Sequence, residues 1–99
     1  MSPEETQMVP MHSITRDPRF QVRNQLDTKL VRQYAKAMEN GAEFPPIHLA
    51  QVKEALLIVD GWHRHAAHYA LGRWEVCARV TPMTEDDALR ESALANTKH

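Results

Sequence analysis

The chain has 99 residues, with twelve Lys and Arg set against thirteen Asp and Glu for a formal net charge of −1. That length fits one domain, and the even balance lacks the basic excess of a free-standing nucleic-acid binder. A single cysteine, Cys77, excludes an internal disulfide and fits a reducing compartment; no apolar run has membrane length and no signal-like segment opens the chain, so a cytoplasmic protein with no membrane partner is expected.

Met1–Gln7 is polar and acidic and reads as a flexible tail ahead of a domain spanning residues 8–99. Met8 to Ile14 alternates as a strand, which Pro10 pushes to a sheet edge because proline cannot donate to a ladder. Thr15 to Asn24 reads as a loop carrying Arg16, Arg19 and Arg23. Asp27 or Thr28 then caps a helix to about Glu39, with Leu30, Tyr34, Ala37 and Met38 as its apolar face. Asn40-Gly41 ends that helix, and Phe44-Pro45-Pro46 prevents any continuation.

Ile47–Val52 and Ala55–Val59 read as two strands of a hairpin turning at Lys53-Glu54. The stretch Leu56 to His68 is the most informative. An apolar, β-branched run stops at Asp60-Gly61, and from Trp62 the composition becomes helical until Gly72. Strand, glycine turn and helix start together place free backbone N–H groups and a positive dipole end at one surface point, which suits phosphate. Arg64, in the first helical turn, adds a guanidinium able to grip an anion with two N–H groups. Ala66, Ala67, Ala70 and Leu71 read as the helix face that packs on the sheet. His63, His65 and His68 lack the spacing of a metal-binding motif and read as a partly exposed histidine face, so no metal site is assigned. Glu75–Thr81 alternates as a further strand, and Thr84 caps a last helix with Glu85, Asp86 and Asp87 in its first turn. The sum is α+β: a small mixed sheet of four strands with three helices.

Gly61-Trp62-His63-Arg64-His65-Ala66-Ala67 resembles the nucleotide-binding box shared by the ParB N-terminal domain (the ParB-like nuclease domain) and sulfiredoxin. The ParB form, Gly-Glu-Arg-Arg-x-Arg-Ala, is matched at Gly61, Arg64 and Ala67. The sulfiredoxin form, Gly-Cys-His-Arg-x-Ala-Ala, is matched at Gly61, His63, Arg64, Ala66 and Ala67. Gln21-Val22-Arg23 resembles the Gln-Pro-Arg segment of ParB, Pro46-Ile47 its Pro-Ile, and Asn96 falls where ParB carries Glu-Asn-x-x-Arg, with Ala95 and His99 in place of the glutamate and arginine.

The resemblance implies a ParB/sulfiredoxin-like fold and a pocket for a nucleoside triphosphate, CTP or ATP, with Mg²⁺. It implies phosphates held at Gly61 and the following N–H groups and clamped by Arg64, with Gln21 and Arg23 closing the pocket and Asn96 approaching the phosphates or the metal. Trp62 either stacks on a base or covers the helix start, and His63 either orients a phosphate or caps the turn. DNA association, in chromosome or plasmid partition or in regulation, and self-association are implied for the family, in which a helix-turn-helix commonly follows this domain. A trimmed fragment and a stand-alone variant are both compatible with its absence here.

Two departures restrict the chemistry. Trp62 and His63 replace the glutamate and first arginine of the ParB box. Trp62 also stands where sulfiredoxin has its reactive cysteine, which argues against a reductase. Two other readings stand beside nucleotide binding. One is a nuclease or small-molecule phosphotransferase using Asp60 and His63 with Arg64. The other is a protein-interaction module that kept the fold and lost the ligand.

Overall fold

The structure, a computed structural model, describes residues 5–17, 19 and 26–96. Its strands are β1 (Gln7–Pro10), β2 (Ile14–Thr15), β3 (Ile47–Val52), β4 (Ala55–Asp60) and β5 (Glu75–Pro82); its α-helices are α1 (Thr28–Glu39), α2 (Trp62–Ala70) and α3 (Glu85–Asn96). The five strands form one mixed sheet in the order β1-β5-β3-β4-β2. β5 is parallel to β3 and antiparallel to β1, while β4 is antiparallel to β3 and parallel to β2.

There are five strands rather than the expected four, because Met8–Ile14 is not one strand. Pro10, at φ −61°, caps a single 3₁₀ turn over Met11–Ser13, which bends the chain out of β1 and into β2. β1 and β2 lie on opposite edges of the sheet, yet only three residues separate them. Three residues reach roughly 10 Å at full extension, so the sheet curls until its edges nearly meet. The backbone N–H of Met11 helps hold that crossing by donating to the Trp74 carbonyl at 2.8 Å. The tail expected over Met1–Gln7 falls largely outside the described residues, with Gln7 opening β1.

The curled sheet wraps a core of Val9, Ile14, Ile47, Leu49, Ile58 and Val76, all buried. Lys53-Glu54 closes the β3–β4 hairpin as a two-residue turn, with Lys53 at φ +56° where tight hairpins usually place Gly, Asn or Asp. At the other end of the hairpin, His48 faces Asp60 while Leu49 faces Ile58, so Val59 is an extra residue on β4. A bulge of this kind bends its strand and re-aims the residues after it, here Asp60 and Gly61.

The helices end as the sequence indicates. Asp27 accepts hydrogen bonds from the amides of Lys29 and Leu30 at the start of α1. The end of α2 is a Schellman turn: the amides of Gly72, at φ +74°, and Arg73 donate to the carbonyls of Tyr69 and His68. Thr84 Oγ1 accepts from the amide of Asp87 at the start of α3. α1 packs on α2, while α3 lies along β4 and buries Ala88 and Ser92 completely.

Candidate functional site: a helix start at the end of a bulged strand

Gly61 is the hinge between β4 and α2, and two constraints fix its identity. Its φ of +105° lies in the left-handed region, which side chains with a Cβ rarely enter. A Cβ there would also stand 2.8 Å from Cγ2 of Ile47, a fully buried side chain. Ile47 therefore presses on the glycine backbone, and the turn comes out in one geometry. The first intrahelical bond beyond it runs from the His65 amide to the Gly61 carbonyl at 2.8 Å. The amides of Trp62 and Arg64 precede that bond, so neither has an acceptor within the helix ladder.

Arg64 is largely buried and is held in place from below. Its Nη1 donates to the carbonyls of Pro45 and Pro46, both at 3.1 Å, and its Nη2 lies 3.6 Å from the Asp60 carboxylate. An arginine has five N–H donors in a planar fork, and here one nitrogen is committed to two carbonyls while the other lies beside the Asp60 carboxylate. Asp60, about half-exposed, stands at the mouth of the corner.

His63 does something the sequence left open. Its Nε2 accepts the backbone N–H of Asp27 at 3.1 Å, which leaves the ring proton on Nδ1 and ties the start of α1 to the start of α2. Two helix N-termini thus converge at one corner, and each dipole contributes about 0.3–1 kcal/mol toward an anion at an exposed site. Trp62 is 8% exposed and packs into the core, with the Arg16 guanidinium 5.6 Å above its ring.

Gln21 and Arg23 lie outside the described residues, so the loop expected to close the corner is not placed. Asn96 is the last residue of α3, and its side chain likewise lies outside what is described. The axis of α3 does indicate where that helix ends. Thr84 and Glu85 share a groove with the hairpin residues Val52 and Lys53, whereas Glu91 lies close enough to His48 to act on its charge. α3 therefore runs from the hairpin turn toward the level of Asp60.

Two features were not anticipated. His65 is 3% exposed, so it is not part of a partly exposed histidine face, and α2 buries Trp62, His65 and Ala67 while Ala70 is exposed. The expected Ala–Leu face holds at Ala67, which is fully buried, and fails at Ala70; the i, i+3 spacing of Trp62 and His65 was the available signal for the rest. Burial, reinforced by the charges of Arg16 and His68, pushes the His65 imidazole down to about 4.

The second is a polar row across three strands, Asp60 beside His48 and His48 beside Arg79. Arginine only donates, so His48 Nδ1 accepts from Arg79 at 3.1 Å and Nε2–H donates to Thr81 Oγ1 at 3.0 Å. Burial, with the neighbouring Arg79 charge, lowers the pKa of His48 and keeps it neutral. In that tautomer it cannot take a proton from Thr81. Among the described residues, no group of three or more His, Cys, Asp or Glu side chains is placed to hold a metal ion, and no helix is long and apolar enough to cross a membrane.

Among solved structures, the fold is similar to the C-terminally truncated chromosome-partitioning protein ParB from Caulobacter crescentus complexed with CTP-γ-S. The TM-score is 0.81 at 17% identity, covering 96% of this chain and 54% of that one. It is also similar to sulfiredoxin from Arabidopsis thaliana, with a TM-score of 0.68 at 23% identity, covering 90% of this chain and 97% of that one. A free serine kinase in complex with AMP matches with a TM-score of 0.61 at 23% identity, over 76% of this chain and 30% of the kinase. The chain thus spans about half the length of the ParB structure, and at these identities the likeness is one of fold. No curated protein matches the sequence. The model of the ParB N-terminal domain family matches residues 1–97, nearly the whole sequence. With the glycine-hinged helix start and the element order on which the fold agrees, that match makes this chain a member of the ParB N-terminal domain family.

Proposed function

We propose that the corner at Gly61–Arg64 binds the phosphates of a nucleoside triphosphate, CTP or ATP, within a cytoplasmic, DNA-associated partition or regulatory protein. The observation that carries this reading is the hinge itself. A left-handed glycine packed against Ile47 delivers the amides of Trp62 and Arg64 beside a guanidinium already oriented by two carbonyls. Oriented N–H groups at a helix start, with an arginine fork beside them, are the donor set a phosphate tail requires. The ParB structure with CTP-γ-S, which shares this fold, supports the same reading. The near-neutral charge of this chain favours DNA contact through another domain or through self-association over contact by this surface.

Mg²⁺ would accompany the nucleotide, held mainly by phosphate oxygens and water, since it keeps several waters and takes one or two carboxylates. Asp60, half-exposed at the mouth, fits as such a carboxylate. Gln21, Arg23 and Asn96 complete the proposed pocket, and binding does not require hydrolysis.

The test is a thermal-melting screen of the four nucleoside triphosphates, with and without Mg²⁺, on the wild type, Arg64→Ala and Arg64→Lys. A bound nucleotide at a hundred times its Kd contributes about 2.7 kcal/mol of stability, a clear upward shift in Tm. Arg64→Ala should lose that shift, and Arg64→Lys, which keeps a charge but not the fork, should retain part of it. Identical shifts in all three proteins would remove Arg64 from the site.

A further inference from the structure

The pairing register sorts the sheet into two faces. Val9, Ile47 and Val76 belong to the face that the curled sheet wraps inward. Met8, Cys77, Arg79 and His48 alternate with them and share the outward face, Met8 opposite Cys77 and His48 beside Arg79. α3 covers only part of that outward face. It packs on β4 and β3 and buries Ala88 and Ser92 there. The outward side of β5 and β1 carries no helix among the described elements, and Met8 stands 53% exposed on it. Neighbouring strands lie about 4.8 Å apart, so the strip from β3 across β5 to β1 is about 10 Å wide, the diameter of one helix with its side chains.

A cation occupies the middle of this strip. Arg79 is half-buried, and among the described residues no carboxylate lies within ion-pairing distance of it. It is nevertheless held in place. Its Nη2 donates to Nδ1 of neutral His48 at 3.1 Å, and the far side of that imidazole is fixed by Nε2–H donating to Thr81 Oγ1 at 3.0 Å. A charge drawn partly out of water normally has an opposite charge beside it, and here the guanidinium is positioned without one. Apolar groups stand on both sides. Glu91, exposed on α3, lies close enough to act on the His48 charge, so that edge of α3 borders the strip. Leu94, three residues on and hence on the same edge, is 49% exposed. Met8 and Leu94, two large exposed hydrophobic side chains, thus bracket Arg79.

We propose that this strip docks an amphipathic helix of a partner protein, which lies beside α3 and brings an Asp or Glu set between apolar residues to Arg79. The width admits one helix, at the 8–10 Å spacing usual between packed helices. The unused N–H groups of Arg79 can hold a carboxylate through two hydrogen bonds, and the His48–Thr81 relay pre-orients the fork, which lowers the cost of ordering it on binding. Apolar residues three or four positions either side of the acid would cover Met8 and Leu94. An added strand fits less well, since these side chains project from the face of the sheet and not from its edge. The groove of about 900 Å³ between the hairpin turn and the start of α3 selects no such partner, because Asp17, Arg19, Lys53 and Glu85 put both signs of charge at its rim.

Display selection on the full chain tests the surface and needs no nucleotide. The probe is a library of amphipathic helical peptides whose central position is Glu, Gln or Lys in equal numbers. The wild type should enrich Glu over Gln tenfold or more, and Arg79→Glu should turn the preference to Lys. The best peptide, titrated by fluorescence anisotropy, should bind Arg79→Gln at least tenfold more weakly than the wild type. Met8→Asp and Leu94→Asp should weaken it as much while leaving the Arg79–His48–Thr81 row intact, so the result does not hang on how Arg79 variants fold. Tyr69→Asp, at the end of α2, should bind as the wild type does. A library that yields no binder, binders without an acidic preference, or affinities unchanged in Arg79→Gln and Met8→Asp overturn the proposal. Sedimentation of the free protein separates a partner's helix from a second copy: a dimer that Met8→Asp dissociates assigns the strip to self-association and overturns the partner helix.

Discussion

Gly61 shows how a single missing atom sets the corner. Alanine there must accept a φ of +105° and push a Cβ to 2.8 Å from Ile47. Left-handed backbone costs a side chain about 1–2 kcal/mol, and overpacking a filled core adds about 1–3 kcal/mol. Gly61→Ala should therefore lower unfolding stability by roughly 2–5 kcal/mol in a urea titration, and it should reduce nucleotide affinity as well, because relief of the clash moves the amides. A loss under 1 kcal/mol would mean that Ile47 yields and the hinge is not pinned. Gly72, also left-handed, has nothing within 4 Å of its Cβ position, so at that position only the backbone strain applies.

At this scale the sequence was legible where one residue answers to one constraint. Gly61 between a β-branched run and a helical one, Asp27 before Thr28, and Gly72 after Leu71 each carry a local cause visible in their neighbours. His65 was not legible. Its burial depends on how a nine-residue helix is rotated against the sheet, and a composition of three histidines, one arginine and five small or aromatic residues does not fix that rotation. Gln21 and Arg23 were proposed from a family likeness, and they stay proposals.

At the scale of elements, the corner is an alliance of two helix starts. Asp27 caps α1 through its side chain and donates its backbone N–H to His63 of α2. Asp27→Ala removes the first interaction while leaving the second in place. Loss of a helix cap costs about 1 kcal/mol, so the variant should unfold at lower urea with an unchanged m value, and α1 amides should exchange hydrogen faster than α2 amides. Uniform acceleration in both helices would show that the His63 contact does not survive without the cap. The strands show the same division between local and distant causes. The hairpin was readable from its two apolar runs, although Lys53 is an uncommon residue for its turn. The split of Met8–Ile14 was not, because Pro10 signals only that an edge is near. Which edges the two halves take is decided by β5 and β4, dozens of residues away.

For the whole molecule, a radius of gyration of 12.9 Å matches a compact chain of this length. Into that small volume it packs His65, His48 and His68 with lowered pKa values, His65 most, to about 4, and the other two in the same direction, each chiefly through burial. A buried imidazole that stays neutral binds fewer protons folded than unfolded. The stability it contributes is complete above the ordinary value of 6.5 and is lost as pH falls from there toward 4. For one such group the slope reaches about 1.4 kcal/mol per pH unit within that window. Thermal melts should thus drop between pH 7 and pH 5, and His65→Leu should flatten the drop. A wild-type Tm that holds steady between those pH values would contradict the burial of these rings in their neutral form.

The three-residue 3₁₀ turn at Met11–Ser13 carries a consequence for how the chain reaches this shape. One short N-terminal ribbon seals both flanks of the sheet, so neither flank has its final neighbour until hairpin, crossover helix and last strand are already assembled. β2 pairs with β4 and β1 with β5, so the residues of the ribbon find all their partners only when both of those strands are in place. Until they do, β4 and β5 each present a bare backbone margin to the solvent, and the bridging ribbon doubles as the guard against stray pairing.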